Sequence, residues 1–271
     1  MKRVFLLRAY GDFTIFIDAL NRSSLKNEYQ IIASKHLELL YNAIKKYRDL
    51  NGIHIQFVDF GIQQSQFNLF TNKSLLSSDT FRQLRLLQQY LKKNPNKSGI
   101  DYLEQDKRKY LLNTFINYHF ESIVNDNKFV YASYRTFFQN SEEHLRLEKK
   151  DNTRVLLFPD ARLVKRIIPN RIIEDIQFAC KKKNYSFLIA RFKTKKATSD
   201  SIYMNFEELM NLINENDLIV GADSLPVHLC HLLNKQHYML FPNNHPRQFI
   251  TPFAETNEYF GEFDHYDVSF L

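Results

Sequence analysis

The chain of 271 residues is long enough for one large domain or two of ordinary size, and 44% hydrophobic with 25% charged residues excludes a disordered or fibrous protein. A formal charge of +7 favours anionic partners. The basic clusters Lys181-Lys182-Lys183 and Lys193 to Lys196 are scattered and lack interleaved aromatics, which argues against a nucleic-acid platform.

Two cysteines, Cys180 and Cys230, form neither a disulfide framework nor a zinc pattern. No apolar run has the length of a signal-peptide core or a membrane span, so a cytoplasmic location is expected. Val4 to Leu7 is a continuous apolar run, the pattern of a strand covered on both faces. Gly11-Asp12 follows, and Phe13 to Leu20 continue as a short helix. Tyr29 to Ala33 reads as a second strand, Leu37 to Tyr47 as an amphipathic helix closed by Asn51-Gly52, and Ile53 to Phe60 as a third strand. This alternation predicts a parallel sheet with right-handed crossovers.

The middle is less legible. Phe81 to Leu91 and Tyr110 to Phe120 have helical periodicity, Asn94 to Gly99 reads as a loop, and Phe129 to Phe138 reads as strand. The polar runs Ser141 to His144 and Glu148 to Thr153 are the linker candidate, dividing a domain of residues 1–150 from one of 151–271. Beyond it Val155 to Phe158 is a strand, and Pro169 opens a helix bearing Ile172, Ile173 and Ile176. Phe187 to Ala190 is a strand, and Asn205 caps a helix with Glu208 in the reciprocal position. Leu218 to Val220, the helix holding Val227, Leu229 and Leu232, and the strand Tyr238 to Phe241 complete the alternation.

Three strand-to-helix joints have residues suited to chemistry. Gly11-Asp12 places a carboxylate near a helix amino terminus, either as a cap or as a general base. In Asp160-Ala-Arg-Leu-Val-Lys-Arg166, Arg162 and Lys165 suit phosphate oxygens, against the plainer reading of a solvated basic loop. In Gly221-Ala-Asp-Ser-Leu-Pro-Val-His228, Asp223 suits sugar hydroxyls, and the amides around Ser224 to Pro226 suit a phosphate. His228 and His231 do not share a helix face with a further ligand cluster, so no metal is expected.

Together the joints resemble the heptosyltransferase-like glycosyltransferases of family nine. Gly221 to Pro246 is similar to that family's carboxy-terminal signature, Val4 to Leu20 to its amino-terminal strand–Gly-Asp–helix, and Leu156 to Pro169 to its phosphate loop. The resemblance implies an α/β protein of GT-B type, two Rossmann-like domains facing across a cleft. It implies inverting, metal-independent transfer, without a cofactor, from a nucleotide-sugar donor to a cell-envelope glycan or lipid-linked acceptor, as in lipopolysaccharide biosynthesis. Asp12 matches the general base. Lys165, assisted by Arg162, matches the cation on the donor diphosphate, and Asp223, Ser224, Pro226 and His228 match the donor-site segment, whose donor-binding positions also take in Gly221 and Leu225. Leu225 and Ala161 stand where the family has Gly and a hydroxyl residue, which motivates the alternative of a non-catalytic nucleotide- or glycan-binding relative. Positive charge with surface aromatics is compatible with peripheral contact on an anionic membrane.

Overall fold

The computed structural model describes residues 2–62, 78–96, 99–104, 109–124, 129–140, 153–193 and 201–271. The linker candidate from Ser141 falls almost wholly outside them. The chain divides into two compact units, Met1–Ser141 and Glu142–Leu271.

In the amino-terminal unit the order is β1 (Lys2–Leu6), α1 (Tyr10–Asn21), β2 (Tyr29–Ser34), α2 (Glu38–Tyr47), β3 (Ile55–Val58), α3 (Ser78–Lys93), β4 (Asp101–Leu103), α4 (Lys109–Ile116), β5 (Phe120–Ser122) and α5 (Val130–Phe137). The strands form one parallel sheet in the order β3-β2-β1-β4-β5, with Val4 opposite Ile31 on one side and Tyr102 on the other. Val4, Phe5 and Leu6 are fully buried because the sheet is covered on both faces.

Two expectations for the middle change. Phe129 to Phe138 is not a strand but contains the helix α5. Val130, Tyr134 and Phe138 are all buried at a spacing of four, and Tyr134 and Phe138 meet the Phe16 ring at 5.6 and 5.2 Å. Aromatic content suggested strand, but the period needed to cover α1 is helical. The helix expected to run to Phe120 stops at Ile116, because Asn117 turns left-handed at φ 48° and Phe120 then enters β5. β4 escaped the sequence reading because it is three residues long and opens on a carboxylate. Asp101 is buried there against Arg3, which donates from Nε to Oδ1 at 2.8 Å and from Nη2 to Oδ2 at 2.5 Å.

The carboxy-terminal unit runs β6 (Arg154–Phe158), α6 (Asn170–Lys182), β7 (Ser186–Phe192), β8 (Ser201–Tyr203), α7 (Phe206–Glu215), β9 (Leu218–Ala222), α8 (Leu225–Leu232), β10 (Gln236–Phe241), α9 (Pro252–Thr256) and β11 (Phe260–Glu262). Its parallel sheet has the order β11-β10-β9-β6-β7-β8. Ile172 and Ile176 of α6 pack with Val155, Leu157, Val220 and Leu240 in its core. The expected cap on α7 is present: Asn205 Oδ1 accepts from Glu208 N at 2.9 Å, and the Glu208 carboxylate accepts from Met204 N at 2.6 Å. Among the described residues no helix is long and apolar enough to cross a membrane.

Candidate functional site

Each sheet reverses its direction of growth once. In the first the reversal lies between β1 and β4, and in the second between β6 and β9. At such a switch point the loops leaving the two strand ends diverge to opposite faces and open a crevice. All three joints singled out in the sequence leave strands that flank a switch point.

At the first switch point, the chain leaves β1 through Leu7, Arg8 and Ala9 and enters α1, whose amino-terminal flank is Ala9. Asp12 lies in the first turn, 8% exposed, with Oδ1 3.4 Å from Arg8 Nη1. Gly11 is part of the helix and makes no turn of its own. From the end of β4 comes Glu104, a residue the sequence did not single out. It is almost fully buried, and its Oε1 accepts from Leu7 N at 2.8 Å. Burial pushes the Glu104 carboxyl up to about 8. The Asp12 charge adds to that rise, while Arg8 and the backbone N–H groups of Leu7 and Arg8 oppose it. The Tyr134 hydroxyl, also buried, is pushed well above its ordinary range by burial and by the charges of Glu104 and Asp12. On the other flank His36 bonds Arg8 O through Nε2 and Ser34 Oγ through Nδ1, both at 2.9 Å. The Arg8 guanidinium thus lies beside the Asp12 carboxylate and also acts against the rise of Glu104.

At the second switch point, β9 ends at Ala222 and Asp223 follows. The Asp223 side chain is only 2% exposed, with Oδ2 2.9 Å from Arg166 Nη1 and Oδ1 3.5 Å from His228 Nε2. The Arg166 contact is a close ion pair rather than an aligned hydrogen bond. Burial alone would raise the Asp223 pKa, but His228 and Arg166 outweigh it and hold the carboxyl below its ordinary range. Both carboxylate oxygens face protein side chains, Oδ2 toward Arg166 and Oδ1 toward His228, so Asp223 braces the two loops at this switch point.

Ser224 has the extended backbone of a helix cap, but its Oγ donates to Ala222 O at 3.2 Å and does not cap α8. With Pro226 contributing no N–H, the first turn of α8 has no side-chain cap of its own. Gly221 lies inside β9, where an added Cβ would come within 2.8 Å of Val227 Cγ1. Close strand–helix packing thus leaves no room for a side chain at this position. Pro226 is buried with His228, while Leu225 is half-buried at the rim. Arg162 and Lys165 are exposed on the loop after β6. Arg166, at the end of the 3-10 turn Val164–Arg166, is the member of that basic run that reaches Asp223. His245, beyond β10, belongs to the same electrostatic group. Burial and then the charges of Arg166 and Lys165 lower its pKa, against Pro246 O and Asp223. Among the described residues no cluster of three or more His, Cys, Asp or Glu side chains has metal-site geometry. His231 is buried in α8 near His237, their rings 6.2 Å apart.

A structural comparison matches this chain to several solved glycosyltransferases. *Escherichia coli* heptosyltransferase WaaC with ADP superposes at a TM-score of 0.58 and 9% identity, covering 92% of this chain and 90% of that one. The fold is that of the heptosyltransferases. The family 9 glycosyl transferase from *Veillonella parvula* gives a TM-score of 0.59 at 12% identity, covering 93% of this chain and 83% of that one. *E. coli* ADP-heptose lps heptosyltransferase II gives 0.56 at 11%, covering 97% and 90%. No protein-family model and no curated protein sequence matches the chain. The heptosyltransferase fold is thus visible in the backbone, while sequence similarity has fallen to 9–12%. Two parallel α/β sheets of the GT-B type are what the resemblance implied.

Proposed function

We propose that this chain is a glycosyltransferase that moves a sugar from a nucleoside diphosphate sugar to a glycan or lipid-linked acceptor of the cell envelope. The observation that carries the reading is the second switch point. There a buried carboxylate, two cations of the loop after β6 and an uncapped helix terminus gather at the edge of a heptosyltransferase-type sheet. That chemistry suits a diphosphate, with or without a further ligand. WaaC has been solved with ADP and with ADP-2-deoxy-2-fluoro heptose, which supports a nucleotide-sugar donor.

In this reading the acceptor hydroxyl attacks the anomeric carbon on the face opposite the diphosphate. The carbon–oxygen bond to the β-phosphate breaks with its electron pair, and Asp12 takes the hydroxyl proton. Such a displacement inverts the anomeric centre. The charge released onto the diphosphate is met by the cations of the loop after β6 and by the α8 amides, so these groups bind more strongly as the bond breaks. The cytoplasm supplies nucleotide sugars, which fits a cytoplasmic enzyme, and the net charge fits contact with an anionic membrane carrying the acceptor.

A thermal-shift panel of ADP, UDP and GDP and their sugars tests the donor class. A ligand at about 100 times its dissociation constant adds about 2.7 kcal/mol of stability. Asp12→Asn is then expected to cut turnover by about 10²–10⁴-fold while leaving nucleotide affinity within about twofold. Undiminished turnover would remove Asp12 from the mechanism. Leu225 at the rim of the α8 terminus favours a second reading, a nucleotide-binding relative without turnover. Donor consumption by the native chain separates the two.

A further inference from the structure

We infer that Arg166, rather than its neighbour Lys165, is the cation that holds the donor's diphosphate, and that Asp223 is the positioning residue that presents it. This rests on the donor reading above and moves to Arg166 a role expected of Lys165.

The two side chains are adjacent in sequence and differ in how they are held. Among the described residues no hydrogen bond or ion pair holds the Lys165 ammonium, which is exposed on the 3-10 turn. A lysine so placed loses most of its rotamer freedom on gripping an anion. Arg166 is fixed beforehand. Its Nη1 is 2.9 Å from Asp223 Oδ2 and donates to Asp223 O at 3.4 Å, which ties the loop after β6 to the loop after β9 across the switch point. The pair is asymmetric: the Asp223 side chain is 2% exposed and that of Arg166 is 20% exposed. The anion is therefore enclosed, and part of the cation remains open to a ligand.

Arg166 is also incompletely satisfied. Its Nε is buried and meets no hydrogen-bond acceptor. An unsatisfied buried donor is costly, and a small rotation of the guanidinium toward a phosphate oxygen relieves that cost as the ligand binds. A planar fork with several donors grips a phosphate bidentately, which an ammonium cannot do. The lowering of His245 agrees, because after burial the Arg166 charge acts on it more strongly than that of Lys165. Arg166 is thus the cation closer to the rim where Asp223, His228 and His245 converge.

The test is calorimetric titration of the full chain with ADP, or with whichever of UDP and GDP the native chain prefers. Arg166→Ala is expected to weaken binding by about 20-fold or more, and Lys165→Ala by less than about fivefold. Arg166→Lys should recover only part of the loss, since it restores charge but not the fork. Because Arg166→Ala strands a buried carboxylate, the double variant Arg166→Ala/Asp223→Asn guards against a folding artefact and should bind as weakly as Arg166→Ala. Asp223→Asn alone should change affinity at least threefold, yet change it less than 1.5-fold once Arg166 is Ala, an interaction that a merely structural role would not produce. A larger loss from Lys165→Ala than from Arg166→Ala overturns the assignment while leaving the donor reading intact. Absence of any nucleoside diphosphate binding by the native chain removes the donor reading, and the assignment with it.

Discussion

Glu104→Gln probes the buried end of the first switch point. Glu104 is 3% exposed, its Oε1 accepts from Leu7 N at 2.8 Å, and burial pushes its carboxyl up to about 8 from an ordinary value near 4.5. The folded chain therefore keeps a proton that the unfolded chain releases. The contribution of a carboxyl raised in this way is fully present below about pH 4.5 and is lost as pH rises toward about 8. Each pH unit inside that window is worth about 1.4 kcal/mol, so between pH 5 and 7.5 the native chain loses about 3 kcal/mol through this group alone. Glutamine keeps an acceptor for Leu7 N and cannot ionise. The stability of Glu104→Gln relative to the native chain should thus rise by about 3 kcal/mol over the same interval.

Urea unfolding of both chains at pH 5 and 7.5 measures this, because every other titrating group cancels in the difference between differences. Should the two units unfold in separate transitions, the effect belongs to the one containing Glu104, and the other serves as a control. A variant-minus-native difference that stays within about 0.5 kcal/mol between the two pH values would refute the reasoning. It would mean that Glu104 is ionised in the fold and neutralised by Arg8.

The carboxy-terminal unit should respond to pH in the opposite sense. His237 is fully buried, its Nδ1 donating to Lys235 O at 2.8 Å and its Nε2 accepting from Thr251 Oγ1 at 2.6 Å, and burial pushes it down to about 3. The neutral ring is favoured in the fold, so its contribution is present above about pH 6.5 and fades as pH falls toward 3, by about 1.4 kcal/mol per unit. His237→Gln should flatten the acid side of the urea-stability profile of this unit, and an unchanged acid slope would show that the ring is protonated in the fold. Gly221→Ala places a Cβ 2.8 Å from Val227 Cγ1 between β9 and α8, and overpacking of that kind costs about 1–3 kcal/mol. Denaturant titration reads the loss, and the companion change Val227→Ala should recover part of it by making room.

Much of the fold was legible because burial on both faces of a parallel sheet writes itself as continuous apolar runs. Val4 to Leu7, Val155 to Phe158 and Leu218 to Val220 are strands for that reason. The joints were legible too, since a strand handing over to a helix needs punctuation: Asp12 after β1, Pro169 before α6 and Ser224 before α8. What failed was local. β4 is brief and begins with a buried Asp101 whose partner, Arg3, lies 98 residues away. The segment from Phe129 to Phe138 has the composition of a strand, and only the neighbouring α1 makes the four-residue spacing of Val130, Tyr134 and Phe138 meaningful.

By itself, then, the sequence determined which residue types stand at the ends of the strands, because alternation and capping are properties of neighbours along the chain. Only the tertiary structure decided what those residues do. Whether Lys165 or Arg166 meets the buried Asp223, and whether Glu104 closes on Leu7 from 97 residues away, depends on which strands lie side by side in the sheet. Pairing across a switch point joins segments distant in sequence, and a carboxylate's charge and partners follow from that burial rather than from its neighbours in the chain.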